Sequence, residues 1–230
     1  IPVVPNLPVG TVGIRRGCLT AAAGELEIVV QGEGGHGARP HQAVDAVWMA
    51  ARVITELQQA IARRLDALQP VVISFGKVEG GRAFNVIADQ VRLLGTVRCL
   101  DVQQHAQLPA WIEEVVQAIC ASGGGTAAVN YRCIAPPVHN DPQLTNLLER
   151  CAVDCLGRDK VLPVDQPSLG AEDFAELLRD VPGMMVRLGV AGPKGCAPLH
   201  NGAFALDDRA LSVGIEVLTS TLLTWIAEPM

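Results

Sequence analysis

Polar residues able to do chemistry stand in three places. His36 and His41 flank a cation, Arg39, directly after a glycine-rich run. Asn85 stands close behind Arg82. Glu172 and Asp173 lie upstream of His200. A histidine and two carboxylates carried on loops could form a metal site or an acid–base site, since imidazole and carboxylate groups serve both. Each residue also has a plainer reading. Glu172 and Asp173 can be the negative charges that a helix N-terminus favours. His200 can be an exposed loop histidine, and His36 can cap or fill its turn with Arg39 solvated. Spacing along the chain does not decide between these readings.

The elements that must position these groups follow from periodicity. Gly32, Gly34 and Gly35 let the backbone turn sharply between an apolar strand, Leu26–Val30, and a helix from about Gln42 to Leu65. The run lacks the Gly-Lys-Ser/Thr ending of a phosphate loop and the glycine spacing of a dinucleotide site. The helix is amphipathic through Val44, Val47, Trp48, Ala51, Ile54, Leu57, Ile61 and Leu65, and Asp45 suits its start. Val71–Val78 reads as a strand. Gly80-Gly81 is a turn before Asn85. Val91–Leu100 is a strand whose Gly95 marks a bulge or a close contact. A second amphipathic helix spans Val102–Ser122, and Ala127–Ile134 is a strand. Residues 25–134 therefore read strand, helix, strand, strand, helix, strand, the order of a ferredoxin-like module whose second sheet face must be covered or kept polar.

Outside this module the signals are shorter. Residues 1–16 read as a proline- and glycine-marked loop leading into a short strand, and 17–24 as a linker of small residues. After Pro136-Pro137 come a helix opened by Asp141-Pro142, a short strand at Val161–Val164, a loop Ser168–Phe174 feeding a helix, and a strand Met184–Val190. The loop holding His200 follows, and then a terminal helix, apolar through Leu211, Ile215, Leu218, Leu222 and Trp225.

Composition bounds the function. With 230 residues the chain can bury one large or two small cores, and its formal net charge of −6 gives no basic field for nucleic acid or anionic membrane. No apolar run is expected to reach the ~20 residues of a membrane span, and the start shows no signal-peptide pattern. Seven scattered cysteines fit a reduced, cytoplasmic setting; Cys151 and Cys155, four apart on a helix, read as packing rather than as half of a metal site. The first residue, Ile1, suggests a piece of a longer protein or a processed product.

Five segments in order carry a resemblance. Gly32–His41 resembles the Gly-x-Gly-Gly-His-(Gly/Ala)-Ala-x-Pro-His motif of the amidohydrolase branch of the dinuclear-metal aminoacylase and carboxypeptidase G family. That branch includes hippurate hydrolases, N-acyl-amino-acid amidohydrolases and indole-acetyl-amino-acid hydrolases. Gly80–Asp89 is similar to its Gly-Gly-x-Ala-x-Asn-Val-Ile-Pro-Asp, with Ala88 in place of the proline. Gly95–Arg98, Ser168–Phe174 and Pro198–Asn201 are similar to its Gly-Thr-Val-Arg, Ser-Met-Gly-Ala-Glu-Asp-Phe and Pro-Leu-His-(Ser/Asn).

The resemblance implies a mixed α+β and α/β fold. A ferredoxin-like lid, which is also the dimerisation domain, would span 17–135. Residues 1–16 would be a segment of an α/β catalytic domain and 136–230 its C-terminal part. His36 would polarise the scissile carbonyl or steady its oxyanion. Asn85 and Arg98 would hold the substrate's carboxylate end, Glu172 and Asp173 would lie at the active-site floor, and His200 would bind metal. The intact family uses two divalent ions, zinc, manganese or cobalt. Its Cys-x-His and Glu-Glu ligand pairs fall upstream of this chain, Glu113-Glu114 lies inside a helix, and Pro2 stands at a further ligand position. The expectation is thus no metal, or an incomplete set, in this chain, which would be inactive alone. Its parent would hydrolyse a small N-acyl amino acid or peptide-like amide as a homodimer joined through the lid, with no nucleic-acid or membrane partner. The other reading is a truncated, non-catalytic relative that dimerises or binds a ligand.

Overall fold

The strand Ala22–Gln31 lies inside a four-stranded sheet, between Gln90–Cys99 and Thr126–Ala135, with Val71–Gly80 beyond Gln90–Cys99. Every pairing is antiparallel. This is the ferredoxin-like order expected from the sequence. The computed structural model describes residues 1–228. Within them this sheet belongs to one compact unit, Thr20–Pro137 with Leu169–Asp173, and the rest of the chain forms a second.

Alternation in Ala22–Gln31 puts Leu26, Ile28 and Val30 on one face. There they meet Met49, Val53 and Leu57 of the helix Ala46–Arg64 and Leu108, Ile112 and Val116 of the helix Val102–Ser122. Aspartates start both helices. Asp45 accepts from the N–H groups of Val47 and Trp48, and Asp101 from that of Gln104. The first helix therefore begins at Ala46, and Pro40–Gln42 forms a separate single turn. The expected stripe packs in part, with Leu57 buried and Val44, Ile54, Ile61 and Leu65 against the core. Ala46, Met49, Ala50, Val53 and Leu57 face the sheet, where small residues allow close approach. Val47 and Trp48 are exposed, and Trp48 is covered by the Arg52 guanidinium at 5.0 Å.

The other sheet face is kept polar. Arg92 bonds Glu27 on one neighbouring strand and reaches Glu79 on the other at 3.5 Å. Asn130 donates to Glu27, and Arg132 pairs with Glu25. The Arg92 bond, helped by Asn130, holds the Glu27 carboxyl below its usual range. Gly95 occupies a close contact and a bulge at once. The register slips between Phe75 and Lys77 opposite it, and a Cβ there would lie 2.6 Å from the Ser74 carbonyl oxygen. Residues expected as a small-residue linker are strand instead, Gly17–Thr20 and then Ala22 onward. Their small size serves packing, because the Tyr131 ring fills the space a side chain on Gly24 would need.

The second unit has its own sheet, in the order Val3–Pro8, Arg187–Ala191, Val12–Ile14, Val161–Pro163. Val3–Pro8 pairs only on one side, so its prolines are tolerated at an edge and the expected loop is a strand. Val12, Ile14, Val186, Leu188 and Val190 pack with Leu148 and Ala152 of the helix Pro142–Leu156, and with Ala210 and Val217 of the helix Arg209–Ala227. Asn140, fully buried, donates to the carbonyls of Arg15 and Met185 and accepts the Met185 N–H at 2.8 Å. With that N–H taken by a side chain, the expected strand at Met184 starts only at Arg187.

Two expectations for the terminal helix are corrected. Leu211, Ile215, Leu218, Leu222 and Trp225 are exposed, and the helix buries Ala210, Gly214 and Val217. By length and composition alone, Arg209–Ala227 is also apolar enough to cross a membrane, although no such run was expected. Glu216 interrupts the run without lowering its average enough to matter. The chain divides at 19/20 and 137/138, a few residues from the expected divisions. The loop Leu169–Asp173 groups with the first unit, where the Ala21 N–H bonds the Gly170 carbonyl at 3.1 Å.

Candidate functional site

The glycine-rich turn is built by close backbone approaches. The Gly32 N–H bonds the Asp89 carbonyl at 2.8 Å, and the Val44 carbonyl lies where a side chain on Gly32 would be. Gly35 and His36 then pair antiparallel with Ile87 and Val86, and the Gly37 N–H bonds the Asn85 carbonyl at 2.8 Å. This two-stranded ribbon sets His36 beside Asn85. Both line a cavity of about 350 Å3, together with Arg82 and Asp89.

The His36 ring is held in one tautomer. Its Nδ1 lies 3.1 Å from the Ala38 N–H, which can only donate. Nδ1 is therefore the acceptor, and the neutral ring carries its proton on Nε2, free to donate to an oxygen. Asn85 adds amide donors suited to a carboxylate. Arg39 and His41 are exposed and do not line the cavity. Arg98 lies elsewhere. Its guanidinium donates to Thr96 Oγ1 and to the Val97 carbonyl. It stands nine residues along an extended strand from Asp89, roughly 30 Å at ~3.3 Å per residue. Within one copy of this unit, Arg98 cannot touch the small molecule that His36 touches.

Glu172 is half-buried and Asp173 exposed. Among the described residues neither side chain makes a hydrogen bond or ion pair. His200 is exposed in the turn Pro198–Asn201, closed by the Asn201 N–H on the Pro198 carbonyl at 3.3 Å. Its φ of 64° is the one positive value at a non-glycine among the described residues. That left-handed conformation is uncommon, although histidine tolerates it better than most, and such residues concentrate at functional sites. No three His, Cys, Asp or Glu side chains gather into a metal-sized group among the described residues. His200 alone does not fit a pair of divalent ions. Sequence reasoning left Asp89 out of the site, although it is the closing aspartate of the Gly80–Asp89 motif.

Residues 20–124 match the peptidase dimerisation domain family, M20_dimer. The ferredoxin-like unit is thus similar to a peptidase dimerisation domain. The chain is 51% identical over 95% of its length to a Synechocystis sp. protein named "Probable hydrolase sll0100", and covers 56% of that protein. It is 36% identical over 97% of its length to an N-acetyldiaminopimelate deacetylase of Geobacillus sp., covering 58% of it. Among solved structures, Bacillus subtilis YXEP, described as a dinuclear metal binding peptidase from the M20 family, superposes with a TM-score of 0.79 at 28% identity. That likeness covers 99% of this chain and 58% of the other. The chain thus spans just over half the length of these relatives.

Proposed function

We propose that these 230 residues belong to an M20-family amidohydrolase, as its dimerisation domain and the C-terminal part of its catalytic domain. It would act as a homodimer on the amide bond of an N-acyl amino acid or similar small amide. The observation that carries this reading is the His36–Asn85 pair in one cavity, with Nδ1 of His36 occupied by the Ala38 N–H. The Nε2–H donates to the carbonyl oxygen as negative charge develops there, and the Asn85 amide holds the carboxylate end. A second copy of the chain is needed if Arg98 is to join that site. Among the described residues no three metal-ligating side chains gather into a metal-sized group, so the roles proposed are those of His36 and Asn85. Among the described residues no cysteine is in a disulfide, which supports a reducing, cytoplasmic setting.

A second reading, a non-catalytic dimerisation or ligand-binding protein, is favoured by the isolation of His200 from other metal-ligating side chains. One assay separates the two: release of free amine from N-acetyl amino acids, with zinc, manganese or cobalt supplied. It is run on the 230-residue chain and on a polypeptide continued upstream to the relatives' length. The amidohydrolase reading expects turnover from the longer protein. It also expects a loss of about a hundredfold to a thousandfold with His36→Ala at unchanged metal content, the usual cost of one oxyanion donor. A longer protein inert with every metal, or a normal rate for His36→Ala, would leave the second reading standing.

A further inference from the structure

The loop that carries His200 runs on into Asn201-Gly202. No other asparagine in the chain precedes a glycine; the rest stand before Leu7, Val86, Tyr131, Asp141 and Leu147. Asn201, Gly202 and Ala203 are all exposed. A tight turn holds them. The Phe204 N–H bonds the Asn201 carbonyl at 2.9 Å, and the Ala203 N–H bonds Asn201 Oδ1 at 2.9 Å. The second bond lays the Asn201 side chain along its own backbone, as asparagines do in turns. Between the two bonds stands the Gly202 nitrogen. Its N–H meets no acceptor among the described residues, and nothing lies within 4 Å of where a Cβ on Gly202 would be. An amide nitrogen with no partner and no side-chain bulk therefore adjoins a carboxamide whose oxygen is already hydrogen-bonded.

We propose that Asn201 is a self-modification site, at which the Gly202 nitrogen attacks the Asn201 carboxamide and converts it to aspartate and isoaspartate. Solvent base removes the Gly202 N–H proton, and the nitrogen forms a bond to Asn201 Cγ. Negative charge collects on Oδ1, where the Ala203 N–H already donates, the arrangement that steadies an oxyanion. The Cγ–Nδ2 bond then breaks, and Nδ2 takes up a proton and leaves as ammonia. The ring that remains is a cyclic imide, which water opens at either carbonyl. Opening at Cγ leaves aspartate in an ordinary chain. Opening at the backbone carbonyl leaves isoaspartate, with the chain running through Cβ. Water enters, ammonia departs, and nothing is oxidised or reduced. Either product places a new negative charge one residue from His200, and isoaspartate also lengthens the backbone inside the turn. Asn140 has the opposite setting. It is fully buried, and its amide is held by the Arg15 and Met185 carbonyls and the Met185 N–H. This inference does not depend on the amidohydrolase reading.

The test incubates the 230-residue chain in mildly alkaline buffer and follows the tryptic peptide between Lys194 and Arg209 by mass spectrometry. Asn201 is the only asparagine in that peptide. The peptide is expected to exchange an NH for an oxygen in mass and to become a substrate for an isoaspartyl methyltransferase, while peptides holding the other asparagines stay unchanged. Gly202→Ala puts a methyl group into open space, and by hindering ring closure should slow the change about tenfold or more. The folded chain should react at least as fast as a synthetic Pro198–Phe204 peptide, because its turn keeps the attacking nitrogen free and the carboxamide oxygen bonded. If Gly202→Ala fails to fold, the comparison of folded chain with peptide still decides. An unchanged mass, an unchanged rate in folded Gly202→Ala, or a folded rate about tenfold or more below that of the peptide overturns the proposal.

Discussion

Tyr131 is the only tyrosine in the chain, so its ionisation can be read without interference. Its ring is half-buried, and its hydroxyl lies 2.9 Å from Nε2 of His105. Burial pushes the phenol up from 10.0 to about 12, with the Cys133 and Cys99 thiols adding to the rise and Arg98 opposing it. Below pH ~10 the phenol is protonated in folded and unfolded chains alike, and its contribution to stability is whole. Between about 10 and 12 the unfolded chain ionises first, so stability falls as pH rises. Two pH decades correspond to ~2.7 kcal/mol in full. Solvent screening of a half-exposed group reduces that to roughly 1–1.5 kcal/mol. Tyr131→Phe should cost about 1 kcal/mol near neutrality through the lost hydrogen bond, and should remove this slope. Near-ultraviolet absorbance follows phenolate formation, and urea unfolding of both proteins across the same pH range isolates the linkage from that of the cysteines. Phenolate appearing near pH 10 in the folded protein, or equal slopes for the two proteins, would refute the reasoning.

Other perturbations should separate core, surface and turn. Leu26→Ala empties a fully buried site under both helices of the ferredoxin-like unit, and urea unfolding should show a loss of about 2–5 kcal/mol. Arg92→Ala breaks an exposed ladder on the open sheet face and should change stability far less than Leu26→Ala, with the difference shrinking in added salt. Gly32→Ala drives a methyl group into the Val44 carbonyl. It should destabilise by about 1–3 kcal/mol and shift the His36 ring resonances in NMR spectra, while an unchanged spectrum would show the turn to be pliable.

Much of the ferredoxin-like unit was legible because its signals are local and regular. Alternation in Leu26–Val30, Asp45 near the start of the first helix and the glycine turns agree with one another, and their order left one topology. The helix faces were not legible in the same way. In Ala46–Arg64 a stripe containing Val47 and Trp48 competes with one containing Met49 and Val53, and periodicity cannot tell which meets the sheet. The terminal helix is apolar nearly all round, so no stripe marked Ala210, Gly214 and Val217 as its buried side. Val3–Pro8 was read as a loop because prolines outweigh the parallel partner that lies more than 180 residues away. The pairing of His36 with Asn85 was reached through motif resemblance, since the ribbon that joins them is two residues long on each side. Asp89 closes the same motif, but it was given no role there, because a single aspartate ending a loop also reads as turn chemistry.

The interleaved sheet of the second unit has a consequence for biosynthesis. Val12 pairs with Val161 and Val3 with Leu188, whereas every strand of the ferredoxin-like sheet lies between residues 22 and 135. A ribosome adding about 5–20 residues per second delivers that sheet while Val3–Pro8 and Val12–Ile14 still wait, on the order of seconds more, for these partners. A nascent chain therefore passes through a stage in which the ferredoxin-like sheet is formed and Val3–Pro8 and Val12–Ile14 still lack these partners. Chaperone occupancy on stalled chains should peak between the release of residue 135 and that of residue 191, and the first segment should stay open to protease until the last strand emerges.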